Sequence, residues 1–306
     1  MNILYINSTI YDYLTATLIQ GLVNLGHTVN CTENSNYGTV IDADFKTYAE
    51  TADLIIVGSN LGVKLELMDQ ISNPRVVYVD GSDFGELWIP GNIKFKAVFK
   101  RELCKALQSA AEDHVYPLPF AAEDRYFSKL LPKKYVASFV ANMGTNPMRN
   151  SIHVRMKNYN SPLIISGATG ERAYNGRNAS FISTPNYHEI LAVSLMSVNV
   201  PGAGYDCARF WEILASGTMV LTFKPDIVIP DDFTDGVDYA TFDSLQDFDD
   251  KFAYYIRHQE EALKIAQNGY RHVCEHHTTL KRAQFFMEHA MGAVSREGFC
   301  QQFYRP

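Results

Sequence analysis

The chain has 306 residues, 46% hydrophobic and 20% charged, with 34 acidic against 27 basic side chains and a net charge of −7. That length is long for one core and comfortable for two domains, and the composition is that of an ordinary globular protein. The acidic balance argues against a general grip on nucleic acid, which needs clustered Lys and Arg. Cys31, Cys104, Cys207, Cys274 and Cys300 are scattered, with no C-x-x-C pair, so reduced thiols are expected rather than disulfides or a zinc site. The segment from Met1 to Ile6 has no basic region before a long apolar stretch, and no apolar run reaches the ~20 residues of a membrane span. A cytoplasmic location with no membrane span is the expectation.

In chain order, 3–6 reads as a buried strand. Residues 13–25 read as a helix with Leu14, Leu18, Leu22 and Leu25 on one face and Gly26 as its stop. Strands follow at 28–32, 54–57, 76–79 and 96–100, then a helix over about 102–111. Short apolar strands alternating with helices predict a parallel, doubly wound sheet. Pro117, Pro119 and Pro132 break the pattern over 115–134, which reads as a linker with a short helix near 123–130. A second α/β series then begins: strand 136–142, helix 149–157, strand 163–166, helix 187–195, strand 197–200, helix 209–216 and strand 219–223. Helices are expected at 244–257, 259–274 and 280–291. The domain reading is therefore 1–117 and 135–280 as two Rossmann-like domains, 118–134 as linker, and 281–306 as a last helix and tail. Two such domains are expected to face each other across a cleft.

The segment 202–217 concentrates the chemistry. Gly202 and Gly204 form a turn after a strand, and the following helix carries Arg209 and Glu212 near its start before stopping at Gly217. A helix start offers unpaired N–H groups and the positive end of a dipole, which suits phosphate. Arg209 adds a fork of donors. Glu212, almost one turn on along the same face, can accept hydrogen bonds from ribose hydroxyls. The bland alternatives are a surface i,i+3 pair for Arg209 and Glu212, core packing for Trp211 and a helix N-cap for Asp206.

The run Asp206-x-x-Arg209-x-Trp211-Glu212-x-Leu214-x-x-Gly217 resembles the donor-site signature of GT-B glycosyltransferases, in particular the CgeB-like (spore-maturation) and exostosin-like groups. Tyr187-His188-x-x-Leu191-x-x-Ser194, Asp235-Gly236-Val237-Asp238-Tyr239, and Ile265-Ala266-x-x-Gly269 followed by His277-Thr278 and Arg282 are similar to flanking CgeB-like segments. The resemblance covers roughly 136–290. It implies sugar transfer from a nucleotide-sugar, UDP-linked, with the donor on the second domain and the acceptor on the first, and with no metal and no separate cofactor. It places Glu212 on the ribose and Arg209 near the diphosphate. Arg149, in Gly144-x-x-x-x-Arg149, becomes a second phosphate contact, and His188, Gly202, Gly204, Tyr205 and Asp206 join the donor set. Where many retaining relatives carry a second Glu, this chain has Tyr205.

Asp80, at the end of a first-domain strand, is a candidate general base for an acceptor hydroxyl, with a turn-forming Asp before Gly81 as the bland reading. A dehydrogenase is disfavoured because no G-x-G-x-x-G follows the first strand. A metal-dependent transferase would want Asp-x-Asp at a strand end; Asp80-Gly81-Ser82-Asp83 has the wrong spacing, and Asp42-Ala43-Asp44 follows no clear strand. A non-catalytic nucleotide- or sugar-binding module remains the alternative. His276 and His277 are adjacent and point apart, so a metal pair is not expected. The acceptor stays open among glycan, small molecule, protein and modified DNA base. The apolar tail residues Phe299, Phe303 and Tyr304 suit packing on the first domain or a homodimer contact.

Overall fold

The computed structural model describes residues 1–41, 44–59, 63–87, 89, 93–108, 114–127, 130–169 and 182–295. The tail beyond 295, with Phe299, Cys300, Phe303 and Tyr304, lies outside them, as do Asp42 and Ala43. Elements follow in chain order: β1 (Asn2–Ile6), α1 (Tyr13–Asn24), β2 (Thr28–Cys31), β3 (Thr39–Val40), α2 (Phe45–Thr51), β4 (Leu54–Ser59), β5 (Val76–Asp80), β6 (Val98–Lys100), α3 (Lys105–Gln108) and β7 (Val115–Pro117). The second series is β8 (Tyr135–Ala141), α4 (Pro147–Asn158), β9 (Ile164–Ala168), α5 (Thr184–Ala192), β10 (Ser194–Asn199), α6 (Ala208–Ala215), β11 (Met219–Phe223) and β12 (Ala240–Phe242). Three helices close the chain: α7 (Leu245–Arg257), α8 (Gln259–His276) and α9 (Thr279–Val294).

The elements form two compact units. Unit 1 comprises Met1–Ala121, Asp226–Pro230 and the segment from His277 onward; unit 2 comprises Ala122–Pro225 and Asp231–His276. Each holds one sheet, and the paired strands run parallel, so the expected α/β class with two parallel-sheet domains is what the chain forms.

In unit 1 the order is β3-β2-β1-β4-β5-β6-β7. Strands β1, β4 and β5 bury nearly every side chain because helices cover both faces of such a sheet. Leu4, Ile6, Ile55, Val57, Tyr78 and Val98 share a core on one side. Val115–Pro117, read from its prolines as the start of a linker, is instead the edge strand. Pro117 is its last residue, where a missing N–H costs no ladder bond. Helix α1 starts at Asp12, whose carboxylate accepts from the Thr15 amide, and it packs against α9. Gly21 makes that approach possible, since a Cβ there would overlap the carbonyl oxygen of Thr279. His277 and Arg282 lie inside the same unit: Arg282 donates to His277 Nδ1 (3.0 Å) and to the Phe120 carbonyl (3.3 Å).

In unit 2 the order is β12-β11-β10-β8-β9. The chain leaves β8 toward β9 on one side and β10 toward β11 on the other, so the direction of winding reverses between β8 and β10. Phe139, Met196, Val198, Leu221, Phe242 and Phe248 fill the core. The helix expected at 187–195 ends at Ala192, and the strand expected at 197–200 runs Ser194–Asn199. Tyr187, Leu191 and Leu195 imitate a helical stripe, while β10 is buried on both faces and shows no alternation. Near 123–130 only a 3₁₀ turn, Asp124–Tyr126, forms, and 128–129 lie outside the described residues. At the N-terminal edge of the sheet, the ammonium of Lys133 donates to the carbonyls of Ala192 (3.1 Å) and Gly217 (2.7 Å). These are carbonyls at the C-terminal ends of α5 and α6, where a cation is favoured.

Substituting Gly21→Ala must push α1 and α9 apart. It is expected to destabilise the chain by about 1–3 kcal/mol, read as a lower urea midpoint.

Candidate functional site

In open parallel sheets ligands bind beyond the strand C-termini where the winding reverses. In unit 2 that point is the pair of loops after β8 and β10. The first loop, 142–146, enters α4 through Asn146, whose side chain accepts from the Met148 amide (2.9 Å) and donates to the Gly202 carbonyl (3.2 Å). Pro147 at the first helical position presets the entry. Asn142 Oδ1 accepts from the Gly144 amide at 3.0 Å, and Gly144 itself is exposed. The second loop, 200–207, turns on Gly202, whose amide donates to the Gly204 carbonyl at 3.0 Å. A Cβ on Gly202 would come within 3.2 Å of Arg149 Nη2, which the guanidinium would have to yield to.

Arg149 fastens the two loops together. Its Nε donates to the Pro201 carbonyl (3.0 Å), Nη1 to Asn142 (2.9 Å), and Nη2 to Val200 (3.1 Å) and to Cys207 Sγ (3.6 Å). A guanidinium has five N–H donors, so these contacts leave at most one for a ligand. Arg149 therefore builds the site and lends it charge, with one Nη1 N–H outside these contacts. Burial, and next the nearby Arg209 charge, pull its guanidinium below the ordinary value.

Arg209 sits in the first turn of α6. It is buried, over the Phe139 ring, with Nε on the Val140 carbonyl (2.9 Å) and Nη1 near Asn199 Oδ1 (3.4 Å). Asn199 is itself fixed by donating to Thr222 Oγ1 at 3.0 Å. Nη2 makes no hydrogen bond within the protein among the described residues. Neither Arg149 nor Arg209 forms an ion pair there. Two buried guanidinium groups thus meet one helix start whose N-cap, Cys207, supplies no side-chain bond. Such a place is electrostatically incomplete without an anion. Helix α6 ends at Gly217, whose φ of +63° is the left-handed stop glycine provides.

Glu212 is buried one turn on. It accepts from the Tyr187 hydroxyl at 2.5 Å and interacts electrostatically with Tyr126. Burial raises its carboxyl above the usual range, while both tyrosines and the Arg209 charge partly offset this. The surface-pair reading of Arg209 and Glu212 is therefore out, since both are buried with separate partners. Tyr126 belongs to the stretch read as linker; no local pattern announced it. Trp211 is core, and Asp206 is not the N-cap: its carboxylate accepts the Trp211 indole N–H at 2.8 Å and so fixes the turn from behind. Tyr205 is exposed and lies parallel to Phe223. His188 packs on the Tyr126 ring, and its Nε2 is buried with no hydrogen-bond partner among the described residues. Burial lowers the His188 imidazole, with Arg125 adding to it.

Asp80 belongs to unit 1. It is fully buried, paired with Lys100 at 3.0 Å, and accepts from the Ser82 amide at 3.0 Å. A carboxylate engaged in that way forms the turn and neutralises a lysine. These contacts fit the turn-forming reading of Asp80. No group of His, Cys, Asp and Glu suited to a metal occurs among the described residues, and no described helix is long and apolar enough to cross a membrane.

Residues 149–288 match the model of a family described as glycosyl transferase-like. The match opens at Arg149 and spans α6 and the 277–282 segment. Among solved structures, the chain is similar to a glycosyltransferase from Rickettsia africae ESF-5, at 11% identity and a TM-score of 0.65, over 97% of this chain and 99% of that one. It is similar to HepE of Anabaena, solved in complex with UDP-glucose, at 10% identity and a TM-score of 0.66, over 95% and 100%. Sucrose-phosphate synthase from Thermosynechococcus elongatus gives 13%, 0.64, 96% and 100%. The fold is that of the GT-B glycosyltransferases. No curated protein matches the chain. Within the GT-B fold the two arginines, Glu212 and the tyrosines all lie in the second parallel-sheet unit, most of them inside the matched segment.

Glu212→Gln checks the electrostatics. A carboxyl whose folded value is raised adds most stability below its unfolded value of about 4.3, and loses it as pH rises through the folded value. The variant should melt higher than wild type near neutral pH, by roughly 2–4 °C per kcal/mol recovered, with the gap closing toward pH ~4. Melting curves across pH read this directly; parallel profiles for the two proteins would contradict it.

Proposed function

We propose that the chain transfers a sugar from a UDP-linked donor to an acceptor hydroxyl without a metal ion, as a member of the CgeB-like group. One observation carries the reading: two buried guanidinium groups, without ion-pair partners among the described residues, converge on a helix start with no side-chain cap where the winding of a GT-B sheet reverses. The donor diphosphate supplies the missing anion, on Arg209 and the free N–H groups of α6. Glu212 accepts the ribose hydroxyls. When the acceptor oxygen attacks the anomeric carbon, the bond to the diphosphate oxygen breaks, negative charge grows on that oxygen, and the hydroxyl proton passes to the departing diphosphate or to solvent. Fixed donors aimed at developing charge in a dry site lower the barrier, which is the part a metal ion plays in other transferases. HepE, solved with UDP-glucose, supports the choice of nucleotide. The acceptor falls to unit 1, where the loops leaving β1 and β5 expose Ile10, Tyr11 and Phe84.

Titration calorimetry with UDP and UDP-glucose, against the ADP- and GDP-linked sugars, tests the reading. Wild type should bind UDP selectively, and Arg209→Ala should weaken it by roughly tenfold or more, the least expected from losing a charged hydrogen bond. Equal UDP affinity in a folded Arg209→Ala variant removes the assignment.

A further inference from the structure

Glu212 is reached from two places far apart in the chain. Tyr187, on α5, donates to its Oε2 at 2.5 Å. Tyr126, from the 3₁₀ turn that follows the crossing into unit 2, interacts electrostatically with the same carboxylate. Both rings are buried. The Tyr126 side is itself braced: His188 packs on its ring with centroids 4.5 Å apart, and the Arg125 guanidinium lies over it while pairing with buried Glu123 at 2.8 Å. A phenol ring at that depth would pack equally well as phenylalanine. What the hydroxyls add is donor geometry on one carboxylate.

An ionised carboxylate has about four acceptor positions. The Tyr187 hydroxyl fills one of them and the Tyr126 phenol interacts with the same group, which restrains its plane and leaves coplanar lone-pair directions open. Two neighbouring hydroxyls on a five-membered ring present two donors with that spacing. We infer that Tyr126 and Tyr187 are positioning residues that orient Glu212 to receive a vicinal diol, making the site selective for ribonucleotides over 2′-deoxyribonucleotides. This rests on the donor reading above and adds a specificity to it. The two hydroxyls act through Glu212 and need not touch the nucleotide.

The test compares UDP with 2′-deoxy-UDP by titration calorimetry on wild type, Tyr187→Phe and Tyr126→Phe. Wild type should prefer UDP by roughly tenfold or more, the scale of a charged hydrogen bond. Each Phe variant should reduce that preference to about threefold or less, because UDP loses more affinity than 2′-deoxy-UDP, which keeps only the 3′-hydroxyl. A purely structural role would weaken both ligands together and leave the ratio intact. An intact ratio in both variants therefore overturns the inference while leaving the donor reading standing. Equal binding of the two nucleotides by wild type also overturns it. Failure of wild type to bind UDP at all overturns the donor reading and this inference with it. The two variants alter different elements, so a folding defect in one leaves the other to decide.

Discussion

One guanidinium holds the end of the second sheet together. Arg149 joins the loop after β8 to the loop after β10 through three carbonyls, and those loops belong to strands whose onward connections diverge. Beside that bridge, the Asn146 side chain at the start of α4 donates to the Gly202 carbonyl and helps keep the turn in register. The Arg149 bond set also explains why that residue is buried despite its charge: carbonyl oxygens replace its hydration shell. No carboxylate among the described residues pairs with its positive charge, which adds to the positive end of the neighbouring helix.

Roles that looked alike in the sequence separate once the hydrogen bonds are traced. Arg149 and Arg209 both stand near helix starts, yet the first is almost fully engaged by the backbone and the second keeps Nη2 available. Asp206 and Glu212 both flank Trp211. One carboxylate accepts the indole and stabilises the turn; the other is held by phenols and carries a cost in burial. Groups held against their own solvation preference cluster at working sites, and Glu212 is the clearest case here.

Much of the architecture could be read from the chain because parallel sheets bury their strands. Short apolar runs such as Ile3–Ile6 and Val76–Val79 have no other good explanation. The strand, glycine turn and helix around 202–217 were readable for the same reason, with Gly217 marking the stop. Boundaries failed where a buried strand follows an amphipathic helix without punctuation, as at Val193. The site was readable only where its parts are close in sequence. Asp80 could be placed at a strand end, but its pairing with Lys100 depends on β5 and β6 lying side by side, which sets those two residues opposite each other. Tyr126 and Asn199 reach the site through tertiary packing, and prolines nearby made the first look like linker.

The connectivity of unit 1 bears on how the chain is made. Its first helix faces α9 across Gly21, yet α9 leaves the ribosome only after all of unit 2 has been synthesised. At about 5–20 residues per second, the apolar side of α1 waits on the order of ten seconds or more for its permanent neighbour. During biosynthesis that surface is therefore a natural place for a chaperone to sit.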